Sequence, residues 1–119
     1  HHNLPPERMP HAYRSADVYV GPSRAVEGFD LPSLEALSCG VPTLLSDTPR
    51  HRALARDAAW YFPEGDAASL AAALPGLLSP EARARARAAG PAEAACHDSG
   101  RVAERLEALF REALGGAAA

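Results

Sequence analysis

The chain has 119 residues, of which 47% are hydrophobic and 23% are charged, and it carries a formal net charge of −3 with no lysine. That length fits one domain, and the acidic balance offers no basic surface for nucleic acid. No apolar run approaches the roughly 20 residues that span a bilayer, and the first residues lack the apolar core of a signal peptide, so we expect a cytoplasmic protein.

The cysteines and the first two histidines do not predict a site. Cys39 and Cys96 lie far apart with no CxxC spacing, and we expect both to be reduced thiols. We interpret His1 and His2 as the remains of a tag or as a fragment edge rather than as metal ligands.

The first part of the chain predicts the order helix, strand, loop, helix, strand. Residues 5–16 place apolar side chains at spacings of three and four, as an amphipathic helix does. Residues 17–23 form a short β-branched and aromatic run that stops at a Gly-Pro pair, which predicts a strand entering a loop. Residues 31–40 predict a helix capped by Asp30, and the apolar run at 41–47 predicts a strand buried on both faces.

The second part continues with a short helix at 49–57 and a third strand at 58–66. The strand contains Trp60 and Tyr61, which we interpret as core aromatics.

Helices account for the remaining sequence. Residues 66–79 predict a helix interrupted at Pro75-Gly76, and a new helix is expected to start at Ser79-Pro80. The alternate arginines of ARARARAA fan around such a helix, which indicates a solvated face rather than a phosphate patch. Residues 99–116 form an amphipathic stripe, and we expect this terminal helix to pack on another surface.

The alternation of strands and helices predicts an α/β fold. We expect a partial, Rossmann-like doubly wound parallel sheet of about three strands, with flanking helices and a C-terminal amphipathic helix. A complete sheet of this kind has about five or six strands. The chain is therefore expected to be part of a larger domain, with exposed sheet edges that could pair in a homo-oligomer.

Two glutamates mark the candidate site. Ligands of parallel α/β sheets bind beyond the carboxyl ends of the strands, where residues 21–30 form a loop. Glu27 falls in this loop and Glu35 in the following helix, so both can face one crevice and accept hydrogen bonds from sugar or ribose hydroxyls. Free N–H groups near Phe29 to Ser33 would favour an anion such as a diphosphate. On the residues alone, the alternative of two solvated surface acids stays open.

Several neighbouring side chains receive structural interpretations. Ser23 is expected to shape the loop, and Ser46 and Asp47 to end a strand near the same crevice. We interpret His51 and His97 as surface residues rather than general bases.

The stretch EGFDLPSLEALSCGVPTLLSD resembles the group 1 retaining glycosyltransferases of GT-B architecture, whose nucleotide-sugar half carries an E-x7-E motif. Glu27 and Glu35 have seven residues between them, and the resemblance extends over nearly the whole chain. It implies that residues 1–119 are the C-terminal portion of a donor-binding domain, with the first half of that domain and an N-terminal domain outside this sequence.

The resemblance also implies roles for the motif residues. Glu27 would be catalytic, touching the donor sugar near the reaction centre, and Glu35 would hold the ribose hydroxyls of the nucleotide. The donor-binding loop and helix start would comprise Gly28, Phe29, Asp30 and Leu31. The implied reaction moves a sugar from a nucleoside diphosphate-sugar donor to a sugar, lipid or other acceptor with retention, without a cofactor and without a bound metal.

Two departures from the family pattern leave alternatives open. Asp30 stands where the family has glycine, and its carboxylate can satisfy amides that would otherwise serve the donor phosphates. The family's phosphate-clamping arginine and lysine lie upstream, so we expect the isolated chain to be inactive. The alternatives are a non-catalytic nucleotide-sugar-binding module or a protein-interaction domain derived from the same fold.

Overall fold

A computed structural model describes residues 3–24 and 30–116, and structural statements below refer to these residues. Its sheet has three parallel strands in the order β1-β2-β3, with Tyr19 opposite Thr43 and Leu44 opposite Trp60. The strands are β1 at Tyr19–Gly21, β2 at Thr43–Ser46 and β3 at Trp60–Phe62. The predicted α/β class and the parallel sheet are confirmed, although each strand is shorter than predicted.

Helices connect and flank the strands. They are α1 at Met9–Ser15, α2 at Leu31–Ser38, α3 at Pro49–Ala55, α4 at Ala67–Leu77, α5 at Pro80–Ala95 and α6 at Ser99–Gly116, with 3₁₀ turns at Pro6–Arg8 and Arg56–Ala58. Four of them begin at a side-chain cap, in which an oxygen of Asp30, Thr48, Asp66 or Ser79 accepts the N–H three residues later. These polar caps explain why the helix starts could be predicted closely.

The central strand β2 is buried on both faces, as its continuous apolar sequence predicts. Leu45 packs on one face with Leu37 of α2 and Leu54 of α3. Leu44 packs on the other face with Phe62 and with Leu77 of α4. Because helices cover both faces, the strand needs no polar alternation.

A glycine sets the closest helix contact on the α2 face. A Cβ atom on Gly90 of α5 would lie 2.5 Å from the carbonyl oxygen of Leu37. That distance is shorter than side chains tolerate, so α5 can reach α2 only without a side chain at this position. Helix α5 therefore packs closely against α2, the helix that carries Glu35.

The predicted break at Pro75-Gly76 is wrong. Helix α4 runs through Pro75 and ends at Leu77, and the break falls at Leu78-Ser79. Proline removes one backbone donor from the helix, but Leu74 and Leu77 pack against the sheet and keep the last turn in place. Tertiary packing outweighs local preference here. Helix α5 likewise continues through Pro91 to Ala95.

The aromatics of β3 are less buried than predicted. Only Phe62 is fully buried, whereas Trp60 and Tyr61 are half-buried. The guanidinium of Arg85 lies 4.3 Å from the ring centre of Trp60, and that of Arg52 lies 3.8 Å from the ring centre of Tyr61. Arginines cover the outer faces of these rings through cation–π contacts, so the core interpretation holds for part of each ring.

The apolar stripe of α6 is exposed in the part of the chain that the structure describes. Its large side chains range from 47% exposed at Val102 to 72% exposed at Leu114. The prediction that this helix packs on another surface is therefore not met within the described residues of this chain.

Candidate functional site

Glu35 lies in the second turn of α2 and leans against α1. The hydroxyl of Tyr13 donates a hydrogen bond of 2.8 Å to Glu35 Oε2. Burial, followed by the hydrogen bond to Glu35, raises the pKa of Tyr13 well above its ordinary value, so the hydroxyl keeps its proton and remains a donor. Among the described residues no donor reaches Glu35 Oε1, which leaves that oxygen for a ligand hydroxyl.

Grooves border Glu35 on both sides of α2. The groove between α1 and α2 has a volume of about 130 Å³ and is lined in part by Met9, Tyr13 and Cys39. The groove between α2 and the C-terminal end of α5 has about 390 Å³ and includes Leu31 and His97. A ligand bonded to Glu35 could thus rest against apolar surface on either side.

Asp30 caps α2 and is turned into the protein. Its Oδ1 accepts the backbone N–H of Ser33 at 3.2 Å, and its Oδ2 accepts the Ser33 hydroxyl. Only 9% of the Asp30 side chain is exposed, and Oδ2 also lies 3.0 Å from His51 Nε2. The carboxylate is therefore fully engaged by the protein itself.

This bonding corrects the expectation of a free N–H group at Ser33, while the predicted N–H of Phe29 lies outside the described residues. Pro32 has no N–H, and the Ser33 N–H is bonded to Asp30. Leu31, the first residue of the helix, is 53% exposed. An anion at this helix start would meet fewer backbone donors than predicted.

The interpretation of His51 as a surface residue is wrong. It is 1% exposed, with Nδ1 2.7 Å from the carbonyl oxygen of Ser46 and 3.1 Å from its hydroxyl. The Thr48 cap accepts the His51 N–H and turns the first residues of α3 under the end of β2, which buries the ring. His97 is half-buried, and its Nε2 lies 2.9 Å from the carbonyl oxygen of Leu54, so its surface assignment is also incomplete.

Ser46 and Ser23 meet where the sequence predicts a crevice. The Ser46 hydroxyl donates to the carbonyl oxygen of Ser23, at the start of the loop. Asp47 instead faces outward and is held by Arg52 at 2.7 and 2.8 Å, and this hydrogen bonding lowers the pKa of Asp47. Ser23, Asp30, Ser46 and His51 thus form one connected group, which Asp47 does not join.

Gly21 lets the start of α2 approach the sheet. A Cβ atom there would lie 2.7 Å from Leu45 Cδ2 and 2.9 Å from the Ser33 hydroxyl. Both contacts are too short for a side chain, so glycine at the end of β1 permits the close packing that brings Ser33 and Asp30 to the sheet edge.

Three predicted site residues, Glu27, Gly28 and Phe29, lie outside the described residues, and their roles stay predictions. The structure places Asp30 at the cap of α2, and Leu31 and Glu35 within that helix. Within residues 3–24 and 30–116, no three histidine, cysteine or acidic side chains gather closely enough to hold a metal ion. Of the described helices, none combines the length and apolarity required to cross a membrane.

Sequence reasoning missed Tyr13 and His51. Tyr13 precedes Glu35 by 22 residues, and nothing in the local pattern of α1 indicates that contact. His51 had a weak signal, because Thr48-Pro49 predicts a helix start, and the Thr48 cap accepts the N–H of His51.

A three-stranded parallel sheet with helices on both of its faces defines a Rossmann-like α/β fold. Residues 1–93 match the family model described as glycosyl transferases group 1. The chain belongs to this family.

Two mannosyltransferases are similar to parts of this chain. It is 36% identical over 102 residues to a phosphatidyl-myo-inositol mannosyltransferase of Mycobacterium leprae, covering 83% of this chain and 27% of that protein. It is 50% identical over 44 residues to an O-antigen chain mannosyltransferase B of Escherichia coli, covering 37% of this chain and 11% of that protein.

A solved structure supports the fold. The sucrose-phosphate synthase of Thermosynechococcus elongatus matches with a TM-score of 0.75 and 27% identity, covering 88% of this chain and 27% of the synthase. The chain thus spans about a quarter of the length of this synthase and of the Mycobacterium leprae mannosyltransferase.

Proposed function

We propose that the chain is the C-terminal part of the donor-binding domain of a retaining glycosyltransferase, which moves a sugar from a nucleoside diphosphate-sugar to an acceptor. The observation that carries this proposal is the hydrogen bonding of the two carboxylate oxygens of Glu35. Its carboxylate is oriented by a protonated tyrosine, and its Oε1 is left open by the described residues, as a ribose-binding group requires.

The other roles follow from the motif. Glu27 would contact the donor sugar near the reaction centre, and the backbone from Gly28 to Leu31 would meet the sugar and the diphosphate. The reaction would need no bound metal, because residues outside this chain would neutralise the leaving diphosphate. Without those residues and the acceptor side, the isolated chain would not complete transfer.

The relatives make mannose the first sugar to test, because two of them are named as mannosyltransferases. The test is a transfer assay on the full-length protein with the mannose and glucose conjugates of UDP, GDP and ADP. The anomeric configuration of the product is read by NMR and compared with that of the donor. Product with the donor's configuration, formed equally with and without a chelator, supports the proposal, whereas an inverted product contradicts retention.

A second candidate is a non-catalytic nucleotide-sugar-binding module. It is favoured by Asp30, which occupies the Ser33 N–H at the helix start where a glycine would leave it open. This candidate predicts nucleotide binding without transfer to any acceptor. Donor turnover by the full-length protein, including slow hydrolysis of the donor by water, would exclude it.

Self-association through the sheet is a further part of the proposal. In the described sheet β1 and β3 are the edge strands, and each has one side without a neighbouring strand. Light scattering of the 119-residue chain tests this, and a monomer at all concentrations would contradict it.

A further inference from the structure

Ser23 and Asp30 lie on either side of the segment that carries Glu27 in the sequence, and both are held by the same side chains. At its start, the carbonyl oxygen of Ser23 accepts the Ser46 hydroxyl. At its end, Asp30 Oδ2 lies 3.0 Å from His51 Nε2. His51 joins the two ends, because its other ring nitrogen contacts Ser46. We call Asp30, Ser46 and His51 the loop clamp.

The hydrogen bonds define where the protons of the loop clamp lie. The Ser46 hydroxyl gives its one proton to Ser23, and the Ser46 carbonyl can only accept, so Nδ1 of His51 must carry a proton and donate. Nε2 faces a carboxylate oxygen at 3.0 Å, and this contact also needs a proton. With one proton on Nδ1 and another between Nε2 and Oδ2, the His51-Asp30 pair has no net charge.

Because both side chains are buried, the net charge of the His51-Asp30 pair matters for a nearby ligand. His51 is 1% exposed and the Asp30 side chain 9% exposed, so water screens little of any charge that is left uncompensated. Asp30 caps the first turn of α2, the end of the helix at which a donor diphosphate would bind. An unpaired carboxylate there would repel the diphosphate.

We propose that His51 is a positioning residue for Asp30 at the start of α2, with two actions. It draws Asp30 inward and, through Ser46, fixes Ser23. It also cancels the charge that Asp30 introduces where the family has glycine, so that the site still accepts a diphosphate. This inference rests on the proposed function of the site.

The charge compensation predicts a dependence on phosphate. In the full-length protein, His51→Ala should weaken binding of the preferred nucleoside diphosphate by about tenfold or more, while the corresponding nucleoside loses much less. Adding Asp30→Gly to His51→Ala removes the uncompensated charge and should recover most of the lost diphosphate affinity. His11→Ala, an exposed histidine of α1, is the matched control and should bind as the wild type does.

His51→Gln separates charge from positioning. Its neutral amide can still donate to Asp30 but leaves the pair with a negative charge, so diphosphate affinity should fall although the loop end stays bonded. The same variant serves if His51→Ala does not fold. Recovery on adding Asp30→Gly to His51→Gln would again support compensation.

Each outcome of these titrations has a distinct meaning. Equal losses for nucleoside and diphosphate, or no recovery with Asp30→Gly, would overturn charge compensation and leave His51 a purely structural residue. Unchanged affinity in His51→Ala would overturn the positioning role as well. A wild-type protein that binds none of UDP, GDP and ADP would instead contradict the proposed function itself.

Discussion

Asp30 and Glu35 begin and extend the same helix, yet they occupy opposite environments. Asp30 is nearly enclosed, and both of its oxygens accept hydrogen bonds from the protein, from Ser33 and His51. Glu35 is half-buried, is bonded through one oxygen to Tyr13, and leaves its other oxygen open among the described residues. The sequence presents both as acids near a crevice, and only their partners distinguish a structural carboxylate from one available to a ligand.

The difference has an energetic consequence. A buried carboxylate with a complete set of partners is costly to remove, because its buried partners are then left unpaired, whereas a partly solvated one costs little to remove and is free to bind. Asp30 should therefore matter most for folding and Glu35 most for the ligand.

The largest expected effect comes from substituting Asp30, the enclosed carboxylate. Asp30→Ala leaves His51 buried without its partner and removes the cap of α2, so the free energy of unfolding should fall by about 3 kcal/mol or more. Glu35→Ala, the matched change on the same helix, should cost about 1 kcal/mol or less. Urea unfolding of both variants measures the difference, and equal losses would mean that the two carboxylates are not distinct.

A smaller loss is expected when the support behind both carboxylates is disturbed. Gly90→Ala places a methyl group against the Leu37 carbonyl oxygen and pushes α5 away from α2, which should cost about 1 to 3 kcal/mol of unfolding free energy. Gly76→Ala in α4 meets no atom within 4 Å and should be neutral or stabilising by up to about 1 kcal/mol. Thermal unfolding of this pair checks the packing, and a neutral Gly90→Ala would show that the helices can separate freely.

The smallest effect on stability is expected from substituting Tyr13, the hydrogen-bond partner of Glu35. Tyr13→Phe removes one hydrogen bond to Glu35 and should cost about 1 kcal/mol of stability near neutral pH. Because the folded-state pKa of Tyr13 is raised, the folded state binds more protons than the unfolded state above about pH 10, and the wild type should lose stability there as pH rises. The stability gap between wild type and Tyr13→Phe should therefore narrow above about pH 10, and a constant gap would show that the pKa of Tyr13 is not raised in the folded state.

Much of the fold could be predicted because local chemistry determines it. The caps at Asp30 and Ser79 fix two helix starts, and the apolar run of β2 reflects burial on both faces. The helix through Pro75 could not be predicted, because its last turn depends on leucines that pack on strands distant in sequence. Local preference and tertiary packing disagree there, and packing decides.

The candidate site could likewise be predicted only in part. Motif spacing and helix position located Glu35, and strand ends located Ser46. The partners that give these residues their properties come from other segments, since Tyr13 lies on α1 and His51 on α3. No periodicity encodes such contacts, so the inward turn of Asp30 and the burial of His51 emerged only from the structure.

Calorimetric titration of UDP, GDP and ADP into the full-length protein tests the central claim most directly, with wild type, Glu35→Gln and the exposed control Glu112→Gln compared. We expect one nucleotide to bind, Glu35→Gln to weaken it by about tenfold, which is about 1.4 kcal/mol, and Glu112→Gln to leave it unchanged. The unfolding transition of Glu35→Gln should match that of the wild type. Wild-type affinity in Glu35→Gln would contradict the assignment of Glu35 as the ligand-binding carboxylate.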